Sequence, residues 1–371
     1  MKITAIEAVP LAIPLLPMTP PSPWTGGTRK QIFVRVHTDE GVTGLGEAFA
    51  YGAPLAVCSV IDESLAPLLI GQDPLRIEAV VDLLHRSTMI YGRRGLAMFA
   101  ISGIEIACWD LLGKVRGAPV YELLGGAARP RLPAYASLMR YETPTAVAEA
   151  CRQFVAQGFR MLKLHQIDVA SVRAAREAVG PDVELMLDTN CPWTPLEAIA
   201  MARALAPYRL FWLEEPVWPP EDYAGLARVT EATDTPIALG ENESTLFGFG
   251  EIVRQRAGDV LQPSVTKVGG ISEFRKIAAL AQSANLPIAP HSFYFGPGLA
   301  ATLHVAATLG GPLPVEFPTG QQETPFLARP IQVRDGWIDL PTGPGLGVEL
   351  NEDAVRRHPY AKGAAQPFVL R

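Results

Sequence analysis

The pattern of apolar and polar positions divides the chain into two parts. In the first part, residues 3–13, 31–38 and 42–49 have the composition and alternation of β-strands, and helical periodicity follows from about residue 56 to residue 117. A sheet followed by helices is typical of an α+β domain. Residues 14–29, between the first two strands, are rich in Pro, Gly and Thr, and they predict an exposed, mobile loop.

In the second part, short β-rich runs alternate with stretches of helical spacing. The predicted strands are residues 132–138, 160–165, 184–188, 210–214, 236–241, 260–265, 287–291 and 314–317. Alternation of this kind predicts a parallel sheet, and eight such units favour a closed (β/α) barrel of the α/β class over an open doubly wound sheet. No GxGxxG follows an early strand, so the sequence gives little support to a dinucleotide-binding fold.

These patterns predict three segments. Residues 1–125 form the α+β domain, residues 126–330 form the barrel, and residues 331–371 leave the barrel and pack back on the first domain. The last segment has turn signals and little helical pattern, which is why it is assigned outside the barrel.

Composition and charge narrow the range of partners. The chain has 32 Lys and Arg against 38 Asp and Glu, so its formal net charge is −6, and it lacks the clustered basic residues that bind nucleic acid or anionic membranes. The apolar stretch of residues 5–17 is too short to span a bilayer and is interrupted by Glu7 and prolines. The four cysteines form no CxxC pair, which suits a reducing cytoplasm and disfavours a cysteine-based metal site.

Ionisable and polar residues stand at the ends of the predicted barrel strands, where the active site of such a barrel lies. These residues are Lys163, His165, Asp188, Asn190, Glu214, Glu215, Glu241, His291 and Glu316. Three carboxylates from successive strands that converge on one rim would repel each other and would be costly to desolvate. A hard divalent cation removes both costs, and all-oxygen ligands favour Mg²⁺ over Zn²⁺. The alternative is that these acids only cap the helices that follow.

Several motifs resemble those of one enzyme family. They are AISGIEIACWDLLGKVRGAPVYELLGG at residues 100–126, LDTN at 187–190, WLEEP at 212–216, GENES at 240–244 and TKVGG at 266–270. The chain is similar over nearly its whole length to the enolase superfamily, in its mandelate racemase/muconate lactonizing enzyme family. The resemblance implies an N-terminal capping domain over a modified TIM barrel, (β/α)₇β, with Mg²⁺ held by Asp188, Glu214 and Glu241. It also implies removal of the proton α to a substrate carboxylate.

Lys163 and His165 lie two residues apart on one predicted strand, so their side chains project from the same face. Many members of the family that the chain resembles carry Lys-x-Lys there, with the second lysine as base. Position therefore makes His165 the candidate base, and imidazole titrates near neutrality without a large shift. Lys163 would bind the carboxylate and stabilise the enediolate. If His165 is only a packed residue, Lys163 is the alternative base.

His291 is the candidate catalytic residue on the opposite face. The resemblance to mandelate racemase implies an aspartate behind this histidine, but the corresponding residue here is Ser264. A serine can orient the ring without stabilising an imidazolium as a carboxylate would. His291 is therefore expected either to act as a general acid toward a leaving hydroxyl or only to bind substrate.

Four further residues are candidate substrate ligands. Asn190 and Lys267 are expected to hydrogen-bond the substrate or the oxygens around the metal, and Glu316, if protonated, to donate to the substrate carboxylate. Trp24 lies in the loop of residues 14–29, which the resemblance implies selects the substrate.

The sequence leaves three functions open for a small-molecule carboxylate substrate. In the first, an acid sugar with a β-hydroxyl is dehydrated to a 2-keto acid. In the second, the α-carbon is inverted or a lactone is closed or opened, as in racemases, epimerases and cycloisomerases. In the third, the barrel binds metal and ligand without turnover. Inversion needs two bases of comparable strength, so Ser264 favours dehydration. The family likeness also implies a homo-oligomer, either a dimer or an octamer.

Overall fold

The structure is a computed structural model and describes residues 1–23, 27–311 and 314–363. The N-terminal domain opens with an antiparallel meander in the order β1-β2-β3, comprising β1 (Ile3–Pro14), β2 (Thr28–Thr38) and β3 (Thr43–Ala48). The three predicted strands are thus present. The helices of this domain are α1 (Pro54–Ser59), a π-helical turn (Val60–Leu65), α2 (Ala66–Leu69), α3 (Ile77–Ser87), α4 (Leu96–Arg116) and α5 (Val120–Leu123).

Helix α4 forms the centre of this domain. It is the one helix in the described ranges that is long and apolar enough to cross a membrane, but 78% of its most apolar window is buried inside the protein. Residues such as Ile101, Ile104 and Leu111 pack with Ile32 and Val34 of β2 in one cluster. These contacts identify α4 as the core helix of the domain.

The second domain is the predicted alternating barrel. Its elements are β4 (Arg131–Ser137), α6 (Pro144–Ala156), β5 (Met161–Leu164), α7 (Val169–Val179), β6 (Glu184–Asp188), α8 (Pro195–Leu205), a 3₁₀ turn (Ala206–Tyr208), β7 (Trp212–Glu214), α9 (Tyr223–Glu231), β8 (Ile237–Leu239), α10 (Thr245–Gln255), β9 (Val260–Leu261), α11 (Ile271–Ser283), α12 (Pro297–Ala307) and β10 (Val315–Pro318). Neighbouring strands from β4 to β9 pair in parallel, and β10 returns to pair in parallel with β4. The sheet therefore has the order of a closed barrel.

The predicted sixth and seventh strands are shorter than expected. Residues 260–265 give only β9, and residues 287–291 contribute two isolated bridges, Leu261 with Ile288 and Ser264 with His291. Pro263 interrupts the first run, and Pro287 and Pro290 interrupt the second. Proline has no N–H to donate, so these runs cannot form continuous ladders.

The loop predicted at residues 14–29 is partly ordered against the rest of the protein. The Leu15 N–H donates to the carbonyl of Gly27 at 2.9 Å, the Leu16 N–H donates to that of Gln321 at 2.8 Å, and Ser22 is buried. The expectation of an exposed loop is therefore wrong for Ser22, whereas Leu16 is 40% exposed. Trp24 lies outside the described residues.

The C-terminal segment contacts both domains. Its strands are β11 (Val333–Arg334) and β12 (Trp337–Asp339), and β12 pairs antiparallel with β4 of the barrel. It then forms α13 (Glu352–Arg357), and Pro359 bridges to Leu11 of β1. The limits of the three predicted segments stay a prediction.

Buried carboxylates of the first domain bind the starts of barrel helices. Glu105 of α4 accepts hydrogen bonds from the N–H groups of Ile271 and Ser272 at 2.7 and 2.8 Å, at the start of α11. Glu47 of β3 accepts from the Gly298 N–H at 2.8 Å, at the start of α12. First-turn N–H groups have no partner within their own helix and favour negative charge, so these contacts hold the two domains together.

His304 lies in α12 where this helix meets α5 and the C-terminal segment. Its Nδ1 accepts from the Tyr121 N–H at 3.2 Å, its Nε2 donates to the carbonyl of Leu346 at 3.0 Å, and the ring is fully buried. Burial lowers the pKa of His304 to about 4, because the hydrogen bond to Leu346 offsets only part of the desolvation cost.

We therefore expect an acid-sensitive contribution to stability from His304. Its unfolded pKa is about 6.5, so the contribution is fully present above that pH and is lost as pH falls through about 4, with a total of about 3 kcal/mol. Urea unfolding of the wild type and His304→Gln at about pH 7 and about pH 5 measures it, with the half-exposed His37→Gln as control. Equal pH dependence in the wild type and His304→Gln would contradict this expectation.

Candidate active site and metal centre

Three carboxylates meet at the carboxyl ends of neighbouring barrel strands. Asp188 ends β6 and pairs in register with Glu214, which ends β7, and Glu241 follows two residues after β8. The three side chains offer oxygen atoms that all lie within 4.8 Å of one another. Asp188 and Glu214 are buried, while Glu241 is partly exposed. The structure thus brings together the three predicted ligands.

This cluster fits a hard divalent cation. Its donors are carboxylate oxygens, which Mg²⁺ and similar ions prefer, and its burial leaves the negative charge poorly solvated. Burial raises the pKa of Glu214 to about 8, against the opposing effect of Lys163, and Asp188 raises it further. A cation bound among the three carboxylates would offset their negative charge and so lower the cost of burying them.

Lys163, on β5, already neutralises part of this charge. Its ammonium is 1% exposed and lies 3.2 Å from Asp188 Oδ2, 2.8 Å from Glu214 Oε1 and 2.9 Å from Glu316 Oε1. Burial alone would lower the pKa of Lys163, but these carboxylates outweigh it and raise that pKa well above its usual value. In this arrangement Lys163 is a fixed cation.

His165 follows β5 directly and also faces the cluster. Its Nδ1 lies within hydrogen-bond distance of the Leu138 carbonyl, and its Nε2 lies 3.2 Å from Asp188 Oδ2. A carbonyl oxygen only accepts, so Nδ1 must carry the hydrogen. In the neutral ring the lone pair is then on Nε2, which is the arrangement that a general base requires.

His291 lies at the other end of the carboxylate trio. Its Nε2 is 3.1 Å from Glu241 Oε2, and its Nδ1 is 3.0 Å from Ser264 Oγ. Burial lowers the pKa of His291, and Glu241 partly opposes this. Ser264 thus occupies the position behind the ring where an aspartate was expected.

The remaining predicted substrate ligands surround the same space. Asn190 donates through Nδ2 to Asp188 Oδ1 at 2.9 Å, and its own Oδ1 is buried without a partner among the described residues. The Lys267 ammonium lies 3.5 Å from Glu241 Oε1 and 4.5 Å from the centre of the Phe49 ring. Trp24 is not among the described residues, so the structure does not place it.

Glu316 differs from the expectation of a protonated donor. It accepts from the Ser137 hydroxyl at 2.7 Å and from the Ser292 N–H at 2.8 Å. Burial alone would raise the pKa of Glu316, but Lys163 and these bonds lower it to about 2. In this environment Glu316 is an ionised acceptor that helps to hold Lys163.

Glu215 follows directly after Glu214, the last residue of β7. It is buried and accepts from the Asn242 amide at 2.8 and 3.1 Å. These contacts agree with a role in shaping the loop after β8.

One cavity of about 190 Å³ is lined by Lys163, His165, Asp188, Asn190, Glu241, Lys267, His291 and Glu316. Its lining also includes residues that sequence analysis missed: Phe49, Tyr51, Asn242 and Phe293. Asn242 and Phe293 were detectable, since they lie one and two residues beyond Glu241 and His291. Phe49 and Tyr51 follow β3 in the first domain, and the sequence has no signal that places them opposite the barrel rim.

The fold and this donor set together define a capped barrel enzyme with a divalent-metal centre. Comparison with known proteins gives the same result. Residues 8–125 match the mandelate racemase/muconate lactonizing enzyme N-terminal domain, and residues 146–354 match the enolase C-terminal domain-like family. The chain belongs to the mandelate racemase/muconate lactonizing enzyme family of the enolase superfamily.

Individual relatives span nearly the whole chain. Arabinonate dehydratase of Saccharolobus solfataricus is 34% identical over 86% of this chain and 88% of its own. D-galactarolactone cycloisomerase of Agrobacterium fabrum is 34% identical over 88% of this chain and 90% of its own. The crystal structure of the 3,6-anhydro-D-galactonate cycloisomerase from Zobellia galactanivorans superposes with a TM-score of 0.87, at 31% identity, and covers 97% of this chain and 100% of that one.

We predict that Glu241→Gln weakens Mg²⁺ binding by about 100-fold or more, since even groups that only support a metal ligand change affinity by about 10- to 100-fold. The amide keeps one acceptor oxygen but loses the charge. Titration calorimetry with MgCl₂ measures the change, and the exposed Glu221→Gln is the control. Unchanged affinity would remove Glu241 from the ligand set.

Proposed function

We propose that this protein is a Mg²⁺-dependent dehydratase of an acid sugar. It removes the proton α to the carboxylate and releases the β-hydroxyl as water, and the enol that forms becomes a 2-keto acid. The proposal rests on one asymmetry of the site: the two histidines that flank the carboxylate trio have different partners at Nδ1, a backbone carbonyl for His165 and a serine hydroxyl for His291.

Each of the two histidines has a separate task in this reaction. His165 accepts the α-proton at Nε2, because its Nδ1 hydrogen is held by the Leu138 carbonyl. Lys163 stays protonated and stabilises negative charge that develops on the substrate carboxylate. His291 donates a proton from Nε2 to the departing hydroxyl oxygen. Mg²⁺, held by Asp188, Glu214 and Glu241, would supply further stabilisation of that developing charge.

Cycloisomerisation is the second candidate. The relatives include a dehydratase and cycloisomerases of acid-sugar lactones or anhydro acids at similar identity. Opening or closing such a ring also begins with a base next to the carboxylate, so the same His165 would serve. Racemisation is less well supported, because inversion needs a second base of comparable strength and His291 lacks a carboxylate behind it.

Other features support the remaining proposals. Cys58, Cys108 and Cys151 are buried free thiols and Cys191 is a partly buried one, which suits the reducing cytoplasm that we propose as location. Exposed apolar side chains such as Ile90, Trp218 and Phe247 offer surface for the predicted homo-oligomer.

We predict that His165→Ala abolishes exchange of the substrate α-proton with D₂O while Lys163 remains in place. NMR of aldonic and aldaric acids incubated with Mg²⁺-loaded enzyme measures exchange and product together, and His37→Ala on β2 is the control. A 2-keto acid product indicates dehydration, a new or opened ring indicates cycloisomerisation, and deuterated substrate or epimer alone indicates racemisation. Near-normal exchange in His165→Ala would show that His165 is not the base.

A further inference from the structure

A pair of hydroxyl groups lies behind His291, on the side of the ring away from the metal centre. Ser264 Oγ is 3.0 Å from Nδ1, Tyr294 OH is 3.4 Å from the same atom, and the two hydroxyls are hydrogen-bonded to each other. Ser264 is fully buried, and Tyr294 is 2% and His291 6% exposed. Water therefore has little access to this side of the ring.

The two ring nitrogens of His291 face different groups. Nε2 lies 3.1 Å from Glu241 Oε2 on the cavity side, and Nδ1 faces the two hydroxyls. On the other side, a hydroxyl can accept from Nδ1 and still donate to a second hydroxyl. The Ser264 and Tyr294 pair can thus hold a hydrogen on Nδ1 and keep Nε2 turned toward the cavity.

The ring of Tyr294 also fixes where this hydroxyl pair stands. It packs edge-to-face on His291, with ring centres 5.8 Å apart, and on Phe49 of the first domain, at 6.4 Å. Ser264 is held by its backbone bridge to His291. The pair therefore has little freedom to move independently of the imidazole.

We infer that Tyr294, together with Ser264, is a positioning residue for His291. The two hydroxyls keep a hydrogen on Nδ1 and aim Nε2 into the cavity, so that the ring delivers the Nε2 proton to the departing β-hydroxyl. This inference rests on the proposed dehydration. In that step the substrate C–O bond breaks, its electrons and the Nε2 proton form water, and the ring is left neutral with its hydrogen on Nδ1. Solvent then restores the proton to Nε2.

This role differs from that of a carboxylate in the same place. A carboxylate would stabilise the imidazolium and favour proton uptake, whereas a hydroxyl pair orients the ring without adding charge. The pair thus suits a histidine that gives up a proton after His165 has taken one.

The test separates elimination from α-proton exchange in the Mg²⁺-loaded enzyme. We expect Tyr294→Phe and Ser264→Ala to lower kcat for keto-acid formation about 10- to 100-fold with little change in KM, since misplacing a catalytic group by about 1 Å has effects of that order. Exchange at the α-carbon, which depends on His165, should persist. Ser264→Thr keeps the hydroxyl and should restore elimination. Ser292→Ala is the matched control, because its buried hydroxyl has no partner among the described residues.

A double-mutant cycle distinguishes positioning from a general structural effect. In a His291→Gln background, Tyr294→Phe should cause no further loss of elimination. Equal losses with and without His291, or a parallel loss of exchange and elimination, would overturn the inference.

A second measurement does not depend on turnover. With ¹⁵N-labelled histidine, NMR of the protein with MgCl₂ alone should show a hydrogen on Nδ1 of His291 in the wild type and in Ser292→Ala, and its loss in Tyr294→Phe and Ser264→Ala. Assignment uses His291→Gln. An unchanged Nδ1 signal in both hydroxyl-lacking variants would overturn the inference. If no acid sugar is turned over while the NMR result holds, the proposed dehydration fails and the positioning role stands.

Discussion

The site depends on the mutual repulsion of three carboxylates that the barrel forces together. Parallel strands bring their carboxyl ends to one rim, and Asp188, Glu214 and Glu241 end up with oxygens within 4.8 Å. The protein offsets this charge with Lys163, whose ammonium contacts two of these acids and Glu316. The cost that remains favours a divalent cation at this rim, and the carboxylates raise the pKa of Lys163 well above its usual value.

Two consequences follow for the groups around the trio. Lys163 and Glu316 hold each other in their ionised forms, so neither is suited to exchange protons with substrate. In the reaction that we propose, proton transfer is left to His165 and His291, which contact opposite members of the trio. The two histidines differ in the group that faces Nδ1. It is the Leu138 carbonyl for His165 and the Ser264 hydroxyl for His291, and neither residue belongs to the metal centre.

Much of this arrangement could be predicted from the sequence. The barrel and its ionisable strand ends follow from local patterns. An apolar run that ends at an Asp, Glu or His identifies both a strand and a candidate site residue within one short segment. The shortened strands around Pro263 and Pro290 were also detectable, since proline removes a ladder donor. The sequence could not predict the positions of Tyr294, Phe49 and Tyr51 around the site, because these positions depend on contacts between segments far apart in the chain.

The first domain is attached to the barrel and lines the cavity through different residues of one segment. Glu47, Phe49 and Tyr51 are spaced two residues apart along one segment: the first binds the start of α12, the second contacts Lys267, and the third lines the cavity. The residue that attaches the domain is therefore separate from the residues that line the cavity. Substitutions at Phe49 and Tyr51 would therefore reshape the cavity while the attachment through Glu47 stays intact.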